Sequence, residues 1–381
     1  MSSGYRIPYN RPTKSPNDLR YLQEALERAH LSGDGPFTRR CHKIFEETHR
    51  APKVLLTTSC THALEMAAFL LDMKPGDEVI VPSFTFVSSV NAFVIRGARP
   101  VFADVHRDSL NIDERQLERL ITPRTRAIVV VHYAGVGCQM DVIDELARRH
   151  GIALIEDNAH GLFGRFRGRL LGTFGQLSTL SFHETKNLTC GEGGALMIMD
   201  GALVERAEII REKGTDRSKF HRGEVDKYGW VDLGSSYLPS ELLSAMLCAQ
   251  LEDRDNIQRR RHHIWSRYAA ELPEWAAQNS IVLPRVPADR DHSAHMYFIV
   301  LPSVASRNAL VALLKSKSIL AVSHYIPLNV SPMGQRLGGR PGQCPVAEDL
   351  AERLLRLPLF TQMTDAEQTD VIETVCAFRC P

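Results

Sequence analysis

Lys186 stands between Thr185 and Asn187 in the run SFHETKN (181–187). Gly191, Gly193 and Gly194 follow it, and an apolar stretch, 195–199, comes after them. Its neighbours are apolar or hydroxylic (Leu180, Ser181, Phe182, Thr185), and the glycines admit close backbone approach. Desolvation lowers a lysine's pKa and frees the amine as a nucleophile. The competing reading is a solvated loop lysine. Only ten of the 46 basic residues are lysines, which leaves few alternatives for amine chemistry. Asp157 closes the apolar run IALIED (152–157), where a carboxylate needs a cation or hydrogen-bond donors. It is either a cap for the next segment or a counter-ion for a protonated ring nitrogen. His160, three residues on, either touches the same ligand or is structural. Ser83-Phe84-Thr85-Phe86 offers an aromatic that stacks on a flat ligand or fills the core. Thr58-Ser59-Cys60-Thr61 precedes a helical pattern and is either a plain N-cap or an anion site at a helix start.

An amine, a carboxylate, an aromatic plate and an anion cradle are together what pyridoxal 5'-phosphate requires. Its aldehyde takes the lysine, its pyridinium nitrogen the carboxylate, its ring the aromatic and its phosphate the N–H donors. The elements that must position them alternate in type. Short apolar runs at 54–57, 78–82, 100–105, 127–132 and 152–157 are interleaved with helical patterns at 61–71, 85–96, 114–121 and 142–150. This predicts an α/β fold with a mostly parallel sheet covered by helices on both faces. Ligands in such sheets bind beyond the carboxyl ends of the strands, and each candidate above follows a strand. A helical pattern over 240–271 predicts one long helix. It links a large domain, 1–245, to a smaller C-terminal α+β domain, 246–381.

Other chemistries lack their signatures. GxGxxG, P-loop, GxSxG and HExxH patterns are absent, and Gly135-Val136-Gly137 lacks a third glycine. A net charge of +1 gives no reason to expect nucleic acid or an anionic membrane as partner, and no apolar run is long enough to span a bilayer. The polar N-terminus lacks the apolar core of a signal peptide, and the eight cysteines form no CxxC pair. A reduced, cytoplasmic protein is expected.

The segments GDGPFTRR (33–40), SCTHALEMAA (59–68), PGDEVIVPSFTFVSSVNAF (75–93), IEDNAH (155–160), SFHETKN, GEGGA (191–195) and HYIPL (324–328) resemble the DegT/StrS-type sugar-nucleotide aminotransferases over essentially the whole chain. That resemblance implies the fold type I, aspartate aminotransferase-like architecture. It implies transfer of an amino group from L-glutamate to C4 of TDP-4-keto-6-deoxy-D-glucose, with TDP-4-amino-4,6-dideoxy-D-galactose as product. The gluco-configured product is the alternative within the class, and a non-catalytic regulator that binds the cofactor or a sugar nucleotide is the alternative outside it. Lys186 would form a Schiff base with the cofactor and shuttle protons. Asp157 would pair with the pyridine nitrogen, His160 would meet the 3-hydroxyl and Phe86 would stack on the ring. Cys60, Thr61 and Ser181 would hold the phosphate. The family implies a homodimer or dimer of dimers with shared sites. Ser236, where relatives carry asparagine, would come from the partner subunit, and Leu238 replaces an arginine. Asn158 stands where alanine is usual. Lys213, Arg217 and Arg222 form a basic loop for the TDP phosphates, with a solvated charged loop as the competing reading, and His324 and Tyr325 would face the sugar.

Overall fold

The computed structural model describes residues 4–380. Twelve strands form three sheets: β1 (Lys53–Thr57), β2 (Glu78–Pro82), β3 (Arg99–Ala103), β4 (Thr125–Val131), β5 (Ala153–Asp157), β6 (Arg165–Phe166), β7 (Arg169–Leu170), β8 (Leu177–Ser181), β9 (Gly194–Ile198), β10 (Arg290–Asp291), β11 (Tyr297–Val300) and β12 (Leu354–Leu357). Seven of them make the central sheet in the order β1-β9-β8-β5-β4-β2-β3. All run the same way except β9, which is antiparallel to both neighbours. The α/β expectation is met.

Successive side chains of a strand point to opposite faces, and each face meets helices. Leu55, Val79, Val81, Val129 and Ile155 pack with the helix Cys60–Leu70. Ile80, Ile128, Val130 and Leu154 pack with the helix Met140–His150 on the other side. The same alternation sends Glu156 away from Asp157. Glu156 is fully buried and accepts hydrogen bonds from the backbone N–H groups of Gly172 (2.7 Å), Phe174 (2.6 Å) and Gly175 (2.9 Å), which ties down the loop leading into β8.

The single helix expected over 240–271 is two helices, Glu241–Glu252 and Arg254–Glu271, broken at Asp253. The physical reason lies in their burial. Ala245, Leu247, Cys248, Ala249 and Leu251 of the first helix join the core beside β1 and β9. Ile264 and Tyr268 of the second belong to a separate core with Tyr297, Ile299, Leu355 and Leu357 from β11 and β12. The chain turns as it passes from one core to the other. Ile7 also enters that second core and pairs with the Ile319 segment, so the first described residues pack against the C-terminal body. Among the described residues no helix is long and apolar enough to cross a membrane.

Candidate active site

The carboxyl ends of β1, β2, β5 and β8 bring the chemistry-bearing residues to one rim of the sheet. Asp157 is the last residue of β5 and is buried. The Ser89 hydroxyl donates to its Oδ2 (2.6 Å) and the Ala159 N–H to its Oδ1 (3.2 Å), while Ser89 in turn meets Thr85 Oγ1 (2.9 Å). Strand end, helix start and hydroxyl chain thus fix the carboxylate's direction. The next residue, Asn158, points elsewhere: its amide donates to the Leu171 carbonyl (3.1 Å) inside the fold.

Lys186 lies in the loop between β8 and β9. Its N–H donates to the His183 carbonyl (2.9 Å), and the following Asn187 is held by the Ser293 carbonyl (2.8 Å) and His295 Nδ1 (2.9 Å). The amine is enclosed by protein although the residue as a whole is only half-buried. Burial lowers its pKa to about 8. The Cys60 and Asp157 side chains oppose that shift and Arg356 adds to it. Burial also pushes the Cys60 thiol well up, so it stays protonated at neutral pH.

The helix Cys60–Leu70 points its N-terminus at this rim. Ser59 caps it through His62 N–H (3.1 Å), and Thr61 Oγ1 meets Ser88 Oγ (2.7 Å). Gly194, opposite Thr57 in β1 and Ser181 in β8, explains why glycine follows the lysine loop. A Cβ there would lie 2.3 Å from the Ser59 carbonyl carbon and 2.4 Å from the Cys60 nitrogen. Without a side chain there, β9 and the helix start can approach this closely.

His160 is buried beneath the same cleft, and its Nδ1 has no hydrogen-bond partner among the described residues. Burial, then Lys186 and Arg356, hold its pKa well below the usual histidine value. The ring stacks on His295 (centroids 4.3 Å) and lies 6.2 Å from His324, which meets the Tyr133 hydroxyl (2.8 Å). Tyr325 stacks on His324 at 3.5 Å and lies 6.1 Å from Phe86. Phe86 is 55% exposed, a large aromatic open to the cleft rather than a core residue; Phe84 is the one that is buried.

The basic loop is otherwise engaged. Glu212 pairs with Lys213 (3.0 Å) and Arg217 (3.1 Å), and Arg222 pairs with Glu208 (2.8 Å) and Glu224 (2.6 Å). Ser236 is exposed on the adjoining segment, next to Tyr237, whose carbonyl accepts the Thr58 N–H (3.0 Å). Three residues not singled out from the sequence join the site: Ser89 on Asp157, His295 against His160, and Arg356, whose charge is felt at Lys186, His160 and His324. Ser89 sits within the resemblance segment 75–93, but nothing in the order of residues marks its partner.

At the rim of this α/β sheet, an enclosed amine of lowered pKa therefore feels the charge of a buried carboxylate. The chain belongs to the DegT/DnrJ/EryC1/StrS aminotransferase family, whose model matches residues 12–376. It is 32% identical over 377 residues to the spore coat polysaccharide biosynthesis protein SpsC of Bacillus subtilis, covering 97% of this chain and 96% of that one. The aminotransferase TlmJ from Streptoalloteichus hindustanus matches at 31% identity with a TM-score of 0.89, over 97% of this chain and 98% of that one. Spr1654 from Streptococcus pneumoniae, solved in PLP and PMP forms, matches at 25% identity with a TM-score of 0.89 and the same coverage.

Proposed function

We propose that this transaminase uses pyridoxal 5'-phosphate (PLP) to move an amino group from L-glutamate to C4 of TDP-4-keto-6-deoxy-D-glucose, giving TDP-4-amino-4,6-dideoxy-D-galactose. The observation that carries the cofactor assignment is Lys186, an enclosed amine of lowered pKa that feels the charge of Asp157. The unpartnered, buried His160 Nδ1 and the helix start kept open by Gly194 also fit the group. Asp157 would hold the ring nitrogen, His160 the 3-hydroxyl, and Cys60, Thr61 and Ser181 the phosphate, with Phe86 against the ring. When bound, PLP supplies the electron sink and carries the amino group between donor and acceptor.

The chain's own residues do the rest. Ser89 and the Ala159 N–H hold the Asp157 carboxyl group in a fixed direction. Lys186 Nζ takes the proton from the donor's Cα and delivers one at the sugar's C4, and a pKa of about 8 suits both directions near neutral pH. The imidazoles of His160, His295 and His324 stay neutral, since burial depresses all three, so they line the site without adding cations. His324 and Tyr325 would face the sugar.

We read the active form as a homodimer, with Ser236 serving the partner's site. Tyr228, Trp230, Val231 and Leu233 lie together on one segment, all more than half exposed, and Trp230 is 79% exposed. An apolar cluster of this kind beside the cleft is suited to cover by a second copy. The nucleotide would be bound at that boundary, where Lys213, Arg217 and Arg222 exchange carboxylate partners for phosphate.

Proton NMR of the product formed from TDP-4-keto-6-deoxyglucose and L-glutamate tests the reading. A small H3–H4 coupling means an axial amine and the galacto product. A large coupling means the gluco product, and no amino sugar at all refutes the substrate.

A further inference from the structure

A second cleft opens at the edge of the central sheet opposite the catalytic rim. β9 begins at that rim, where Gly194 pairs with Ser181 and Thr57, and ends with Ile198 beside Leu177 and Lys53, the first residues of β8 and β1. The length of the strand is roughly 13 Å. At its far end Met199 lines a cavity of about 560 Å³, together with the end of the helix Pro36–His49 and the β6–β7 hairpin. None of the residues proposed to hold the cofactor or the substrates lines it.

Three arginines do, Arg50, Arg165 and Arg169, and among the described residues no carboxylate pairs with any of them. Arg165 uses one N–H on the Gly168 carbonyl (2.8 Å), and Arg169 holds Thr173 through its Nε (3.1 Å) and Nη2. The Arg50 side chain is exposed and holds no described residue. A guanidinium has five N–H donors, so most of the fifteen remain unused. Arg167, on the same hairpin, is by contrast paired with Asp141 (2.6 Å) and Asp289 (3.3 Å). Three unpaired cations around one cleft repel one another until an anion enters.

His49 adds a second, independent requirement. It lines the same cavity, is 4% exposed, and its Nε2 is buried with no partner among the described residues. Its Nδ1 meets the Phe45 carbonyl (3.2 Å). A carbonyl can only accept, so Nδ1 carries the proton and Nε2 is a bare acceptor. Burial, with Arg165 adding to it and the Phe45 carbonyl and Glu156 opposing it, holds the pKa at about 4, so the ring keeps this form at neutral pH. Glu156 itself is occupied by His132 (3.0 Å) and three backbone N–H groups.

We propose that this cavity binds a phosphate ester that also carries a hydroxyl or N–H donor, a nucleotide or a sugar phosphate. The phosphate lies among Arg50, Arg165 and Arg169, whose planar forks match its oxygens. The hydroxyl or N–H group donates to His49 Nε2. A cavity of about 560 Å³ is of the size that holds a small organic ligand, and Leu170 and Met199 give it an apolar part.

The test is calorimetry on the PLP-loaded protein at constant ionic strength, so that the cofactor's own phosphate position is filled. The probes are magnesium-free ATP, glucose 1-phosphate and inorganic tripolyphosphate, which has the charge but no hydroxyl or N–H donor on a carbon skeleton. Arg50→Gln and Arg165→Gln should each weaken the bound ester by about 10-fold and tripolyphosphate with it. His49→Phe should weaken the ester by about 5- to 10-fold and leave tripolyphosphate unchanged, a difference that a merely structural role would not produce. Tighter binding of ATP than of glucose 1-phosphate identifies a nucleotide site, and the reverse order a sugar phosphate site. Absence of binding by both esters overturns the proposal. So does an affinity that Arg50→Gln and Arg165→Gln leave unchanged, or one that Arg217→Gln abolishes instead, which would place the probe on the loop proposed for the substrate nucleotide. The Arg50 side chain supports nothing in the protein, so Arg50→Gln decides even where Arg165→Gln or His49→Phe fails to fold.

Discussion

The amine of Lys186 should titrate near pH 8, and the consequence is measurable before any substrate is known. At pH 7.5 a lysine with a pKa of about 8 is neutral roughly a quarter of the time, whereas one at the ordinary 10.5 is neutral about one part in a thousand. The structure therefore gives Lys186 on the order of 200 times more nucleophile than a surface lysine. Stopped-flow absorbance of PLP uptake by cofactor-free protein, from about pH 6.5 to about 10, should show a rate that rises with pH and levels off just above 8. Lys186→Met should abolish the uptake, and borohydride reduction with peptide mapping should mark Lys186. The neighbours set the direction of further shifts. Asp157→Asn removes an anion that raises the pKa, so the inflection should move down; Arg356→Gln removes a cation that lowers it, so the inflection should move up. Stability follows with the matching sign. The folded value lies below the unfolded one, so between about 8 and 10.5 the unfolded chain holds more protons and this group adds stability as pH rises. That increment should vanish in Lys186→Met. A rate still climbing tenfold per pH unit above pH 9, or uptake undiminished in Lys186→Met, would refute the reasoning.

Ser89→Ala removes a 2.6 Å hydrogen bond to Asp157 and should cost about tenfold in transamination rate, with Asp157→Asn costing at least about 100-fold in steady-state assays of the PLP-loaded protein. Gly194→Ala forces a methyl group onto the Ser59–Cys60 peptide; thermal melts should show a loss of about 1–3 kcal/mol, and equilibrium dialysis a weaker affinity for PLP. On the proposed homodimer, Trp230→Asp, which places a charge in the exposed apolar cluster, should shift sedimentation toward monomer and lower activity, as the proposed role of Ser236 in a partner's site requires.

The sequence and the structure agree most closely where one residue's neighbours in the chain are also its neighbours in space. A strand that ends in Asp157 must deliver it to the sheet rim, so periodicity and chain order suffice there, whereas Lys186 is marked by its apolar and hydroxylic neighbours and the glycines after it, since β8 is not among the apolar runs read from the sequence. The helix over 240–271 failed for a related reason. Its apolar positions fit one continuous pattern, but they serve two cores, and a sequence pattern carries the period without the destination. Charge was least legible of all. Lys213, Arg217 and Arg222 look available in a loop because their partners, Glu208, Glu212 and Glu224, are not seen as partners until the loop folds. Arg356 sits in LLRL (354–357), a stretch in which nothing in the sequence singles it out. What distinguishes it is that no carboxylate among the described residues pairs with it, while Tyr9 and Ser323 arrive from 347 and 33 residues away to hold it. A cation's availability is a property of what surrounds it. In this protein the cations conspicuous in the sequence are neutralised by neighbouring carboxylates, while the one hidden in a strand still has donors to give.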